Sequence, residues 1–159
     1  MEQKSILKER LKIKNPKTMT ITILSLILFL TFTVLGGFHF YWLFGGILGL
    51  EQAIPTKDKA DLLSIPKIAT LIVGLVLVSF GVIYFVKSGL INLSIPNWIT
   101  DYVYWFIPII FIIRAIGDFN YVGFFKKIKD TVFAKADTKL FAPLCLFIGV
   151  IGFLIQGCQ

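Results

Sequence analysis

Histidine occurs once in this chain, at position 39, and cysteine twice, at positions 145 and 158. A single histidine and two cysteines give no metal-ligand spacing, and Cys145 and Cys158 share one apolar segment that, as a helix, would hold them roughly 20 Å apart. They cannot pair within one helix, so no disulfide framework exists. Charge is scarce too, at 16% of residues, and acids are the scarcer sign, with 9 Asp and Glu against 16 Lys and Arg. So little polar surface cannot cover a soluble globule of 159 residues. A phosphate-binding glycine loop is missing, as is a nucleophile paired with a base, which leaves an enzymatic reading without its usual parts.

What the chain does have is apolar bulk: 57% hydrophobic residues, a mean hydropathy of +0.84 and 16 phenylalanines. These residues must face lipid, and the net charge of +7 then points to anionic headgroups rather than nucleic acid. The fold class expected is an all-α membrane protein with four transmembrane helices, over about 21–43, 68–86, 102–118 and 140–155, and an interfacial amphipathic helix between spans three and four. Residues 1–19 form a basic tail with Lys4, Lys8, Arg10, Lys12, Lys14 and Lys17, and residues 20–159 form the membrane domain. Within the tail, Ile6, Leu7, Leu11 and Ile13 fit a short surface helix ended by Pro16.

From Ile21 to Leu50 there is no Asp, Glu, Lys or Arg, and the only side chain that titrates near neutral pH is His39. One helix of that length would measure about 45 Å against a hydrocarbon core of roughly 30 Å, so the span should stop near Leu43 and loosen toward Pro55. Such a run is too long for a cleaved signal peptide and reads as an uncleaved first span. The pairs Gly36–Gly37 and Gly45–Gly46 mark a break or a close helix contact, and His39, Trp42 and Gly46 share one helical face. The loop Glu51 to Lys67 is polar with mixed charge. In span two, Gly74 and Gly81 form a contact stripe, and Lys87 snorkels to the headgroups.

Trp98, Tyr102, Tyr104 and Trp105 gather at the start of span three, as interfacial aromatics do. Pro108 should kink that helix. Arg114 and Asp118, at i and i+4, lie on one face and can pair. An arginine at mid-span costs at least about 2.5 kcal/mol, so either the span stops near Gly117 and Arg114 snorkels, or it continues through Tyr121 to Phe125 and both charges need partners; the pattern after Asp118 favours the first. Beyond Asp118, Tyr121, Phe124, Phe125, Ile128 and Val132 keep helical period while Lys126, Lys127 and Lys129 take the other face, the pattern of a surface helix. Asp130, Lys135, Asp137 and Lys139 then read as a mixed-charge loop before span four, with Pro143 in its first turn.

The runs HFYWLFGG at 39–46, RAIGDFNYVGFFKKIKDTVFA at 114–134 and ADTKLFAPLC at 136–145 resemble a bacterial family of small membrane proteins, catalogued as domain of unknown function 3995. The resemblance runs from His39 to the C-terminus. It implies four spans and a membrane location, assigns no activity, and adds Asp137 to the residues of interest.

Six basic residues precede span one and three (Lys57, Lys59, Lys67) follow it, so both termini are expected in the cytoplasm, with the chain in the cell membrane. Strict alternation then puts His39 and Asp118 at one outward end, where His39, Arg114 and Asp118, with Trp42, Tyr121 and Asp137, make up the candidate polar cluster. The preferred role is non-catalytic: the cluster binds an amphiphile or a partner, or braces the bundle. Two alternatives are a membrane enzyme acting on a lipid-like substrate with His39 as general base, and a proton-coupled carrier using His39 and Asp118. No cofactor, metal or nucleic acid is expected. The expected partners are membrane lipids, anionic at the tail and surface helix, with a homo-oligomer left open.

Overall fold

The computed structural model describes residues 15–54, 66–91, 93, 94 and 96–158. The surface helix expected in the tail and most of the polar loop before span two lie outside the described residues. Every regular element among the described residues is helical. Helix α1 is Pro16–Leu43, α2 Leu50–Ala53, α3 Lys67–Lys87, α4 Tyr104–Ile116, α5 Val132–Ala136 and α6 Ala142–Gly157. A π-helical turn, Ile99–Val103, leads into α4, and another, Asp137–Phe141, joins α5 to α6. Among the described residues, three helices are long and apolar enough to cross a membrane: Pro16–Leu43, Lys67–Lys87 and the continuous Val132–Gly157.

Local chemistry sets the helix ends. α1 begins five residues earlier than the hydropathy suggests, because Asn15 caps it through the Lys17 N–H (3.1 Å) and Pro16 occupies a position where its missing donor costs nothing. It stops at Leu43, where the expected span stops, with Gly45 at φ 93° just beyond, although its 28 residues make it about 42 Å long. α3 runs from Lys67 to Lys87, one residue beyond the expected span at each end. α4 ends at Ile116, before Asp118, with Gly117 as its C-cap at φ 95°.

No helix follows α4 along the surface. Residues 117–131 form an irregular loop, so the expected interfacial amphipathic helix is absent, and span four's helix begins at Val132 rather than Leu140. The apolar spacing did fit a helix, but the backbone donors that would build its first turns go elsewhere. Asp118 Oδ1 accepts from Asn120, Tyr121 and Val122, and Asp137 Oδ2 accepts from Gly123. Asp137 therefore sits inside a helix and is fully buried, not in a solvated loop.

Two antiparallel pairs make the bundle. At one end Thr22 Oγ1 donates to Ser88 O (2.8 Å), and at the other Gly74 lies against His39 and Phe40, so α1 and α3 run side by side in opposite directions. Gly36, Gly74 and Gly81 allow that approach; a Cβ on Gly36 would come within 2.7 Å of Val78. α4 and α6 pair through Gly149 and Gly152, which press on Ile112 and Pro108. Phe32 is the shared centre, wholly buried and meeting Phe111 (5.3 Å), Phe80 (5.7 Å) and Tyr84 (5.9 Å). The outward side chains are apolar in their turn: Leu30, Val82, Ile113 and Leu154 are all more than half exposed, which suits lipid contact. α2 packs on α5, bringing the chain after α1 to the end where α4 stops and α5 starts.

Candidate polar site

The polar centre of this end is Asp137. It sits in the π turn at the foot of α6 with no exposed surface, and both its oxygens are occupied. Oδ1 accepts from Arg114 Nη2 at 3.0 Å; Oδ2 accepts from Lys126 Nζ at 2.8 Å and from the Gly123 N–H at 2.7 Å. Lys126 also donates to Gly123 O (3.0 Å) and Thr138 Oγ1 (2.7 Å), so its ammonium group spends all three donors on the protein. Its side chain is 1% exposed, which overturns the expectation that it lies on a solvated face. One carboxylate thus faces two cations, and Arg114 keeps Nη1 buried with no hydrogen-bond partner among the described residues.

The backbone around this centre has one workable shape. Gly117 and Gly123 have φ of 95° and 88° and lie against each other: a Cβ on Gly117 would run into the Val122 carbonyl, and one on Gly123 into the Ile116 carbonyl. The loop then folds back on the end of α4, with Phe124 N donating to Ala115 O (2.9 Å), Lys127 N to Phe119 O (3.1 Å) and Ile128 N to Asn120 O (3.1 Å). Phe119 takes φ 62°, a strained conformation for a bulky residue, held by these closures. Asp118 organises the turn from outside. Its carboxyl, held below the usual carboxylate range first by the Val122 N–H and then by those of Tyr121 and Asn120, is exposed and makes no ion pair among the described residues.

The candidate residues therefore separate into three groups. Arg114 and Asp137, 23 residues apart in the chain, are brought together. Arg114 does not reach Asp118, because the helix ends between them at Gly117 and the i, i+4 geometry is lost. His39 and Trp42 form their own pair, ring centroids 5.1 Å apart, with His39 Nδ1 2.9 Å from Leu35 O and Trp42 Nε1 donating to Leu48 O at 2.8 Å. Neither has a hydrogen bond to Arg114, Asp118 or Asp137 among the described residues. Tyr121 is exposed on the loop and enters the site only through its backbone N–H to Asp118. Lys126 and Thr138 are additions that spacing did not suggest, while Gly117, Asp118 and Gly123 lie in the run 114–134 on which the family resemblance rests.

The family profile described as "Protein of unknown function (DUF3995)" matches residues 32–152. The chain belongs to this family. The match covers all of the loop and ion-pair centre and leaves out the basic tail. No curated protein and no solved structure matches the chain. Among the described residues of this DUF3995 member, no group of His, Cys, Asp and Glu could hold a metal ion.

Proposed function

We propose that the protein is a non-catalytic membrane protein that crosses the bilayer four times and holds an anionic amphiphile at the Asp137 end of the bundle. The fourth crossing is the stretch from the π turn Ile99–Val103 through α4, whose α-helical part alone is short at about 20 Å. Both termini then lie on one side, the cytoplasmic one by the basic residues ahead of α1. The observation that carries the reading is the charge imbalance of the centre: one buried carboxylate with both oxygens hydrogen-bonded, against the buried Lys126 and the partly exposed Arg114. Asp137 anchors the loop 117–131 and leaves net positive charge for an anion at the membrane surface. A catalytic role for this centre is disfavoured, since Asp137 is fully buried with both oxygens hydrogen-bonded and Lys126 has all three donors engaged.

The test is the lipid that purifies with the protein. Mass spectrometry of the full chain extracted in mild detergent should find anionic lipids enriched over the membrane they came from, and Arg114→Gln, which removes a partly exposed positive charge, should reduce that enrichment. Lipid of bulk composition on the unsubstituted protein would overturn the proposal.

A further inference from the structure

A cavity of ≈ 300 Å³ opens beside the Asp137 centre, between the loop and the first turns of the last long helix. Its lining carries four lysines, Lys126, Lys129, Lys135 and Lys139, together with Thr138 and Phe124, and no acid. Lys126 is its fixed floor, held by Asp137, Thr138 and the Gly123 carbonyl. Lys129, Lys135 and Lys139 are exposed and make no ion pair among the described residues, so three ammonium groups are free to turn inward. Of the acids flanking it in the chain, Asp137 lies behind the wall with both oxygens hydrogen-bonded, and Asp130, beside Lys129, is exposed and makes no ion pair among the described residues.

Below the cavity the same helix changes character abruptly. Lys139 is the last charged residue of the chain. Pro143, Leu146, Val150 and Leu154 follow it on one exposed face, a stripe about 22 Å long from Lys139 to Leu154. A cationic cup at the head of an apolar track suits a ligand with an anionic head and a hydrocarbon chain. Ammonium groups serve as point-charge phosphate binders, and each lysine near an anionic headgroup contributes on the order of a fivefold gain in affinity.

We infer that this cavity is a binding site for an anionic phospholipid, with its phosphate among Lys129, Lys135 and Lys139 and its acyl chain on the Pro143–Leu154 stripe. The inference rests on the amphiphile reading above and fails separately from it. The experiment uses the full chain in neutral detergent and follows retained lipid by native mass spectrometry. Long-chain phosphatidic acid should be retained, long-chain phosphatidylcholine should not, a dihexanoyl phosphatidic acid should bind more weakly, and inorganic phosphate should not compete. Lys129→Gln, Lys135→Gln and Lys139→Gln together should weaken retention roughly a hundredfold while the melting temperature stays that of the parent. If the triple variant unfolds, Lys139→Gln alone should still show a loss of about fivefold. Retention unchanged in these variants overturns the site, even where anionic lipid still copurifies and the broader reading stands. Competition by inorganic phosphate equal to that of the lipid would make it a free-anion site, and equal retention of phosphatidylcholine would make it part of an unselective lipid belt; either result overturns the inference.

Discussion

Asp118 and Asp137 both accept backbone N–H groups, yet one is exposed and the other has no exposed surface. The exposed one gives a pH dependence whose sign is fixed. Its folded-state pKa is depressed, chiefly by the Val122 N–H, so its contribution is present above the unfolded value of about 3.9 and is lost as pH falls through the folded value. Protection of the Asn120, Tyr121 and Val122 amides, their exchange relative to the intrinsic rate at each pH, should hold from neutral pH down to about pH 4 and be lost below it. Asp118→Asn, which keeps the acceptor oxygen and removes the charge, should flatten that acid transition; an acid transition unchanged in this variant would assign it to another group. Neither acid's role was legible from spacing. Arg114 and Asp118 were a natural pair at i, i+4, and only the left-handed cap at Gly117 separates them. The true partners of Asp137 come from 11 and 23 residues away, a distance over which local periodicity carries no information.

The helices were far more legible than the loop between them. Apolar length and basic flanks matched the end of α1 at Leu43 and both ends of α3 within a residue, while the start of α1, set by the Asn15 cap, lies five residues ahead of the apolar run. Gly74 and Gly81 were recognisable as a contact stripe because, in lipid, close approach needs small residues. The segment 117–131 misled because its apolar period was real while its backbone donors were already claimed by carboxylates. Helix packing gives a prediction of its own scale. A Cβ on Gly152 would come within 2.8 Å of Pro108 and 3.1 Å of the Tyr84 hydroxyl, whereas Gly157 has open space. Gly152→Leu should destabilise the α4–α6 pair by about 1–3 kcal/mol in a detergent melt, and Gly157→Ala should leave the melt unchanged. Equal melts for Gly152→Leu and the parent would mean that these helices do not pack through this surface.

At the scale of the whole molecule, the proposed four crossings would return the C-terminus to the side on which α1 begins. In a Cys145→Ser background, a membrane-impermeant maleimide should leave Cys158 unlabelled in intact cells and label it once the membrane is permeabilised. Labelling in intact cells would reverse the orientation. The same connectivity gathers the ends of α1 and α4 and the start of α5 at one face, where a single buried carboxylate ties the loop 117–131 to the bundle. Breaking a buried ion pair from one side leaves an unmatched charge and costs about 3–5 kcal/mol, while removing both charges recovers much of that loss. The most direct test of Asp137 as the anchor is therefore the thermal melt of the purified full chain in detergent, comparing the parent with Asp137→Leu and with Asp137→Leu combined with Lys126→Met. The anchor predicts a large drop for the single substitution and a partial recovery for the pair. A single variant that melts with the parent, or a pair no better than the single, would contradict it.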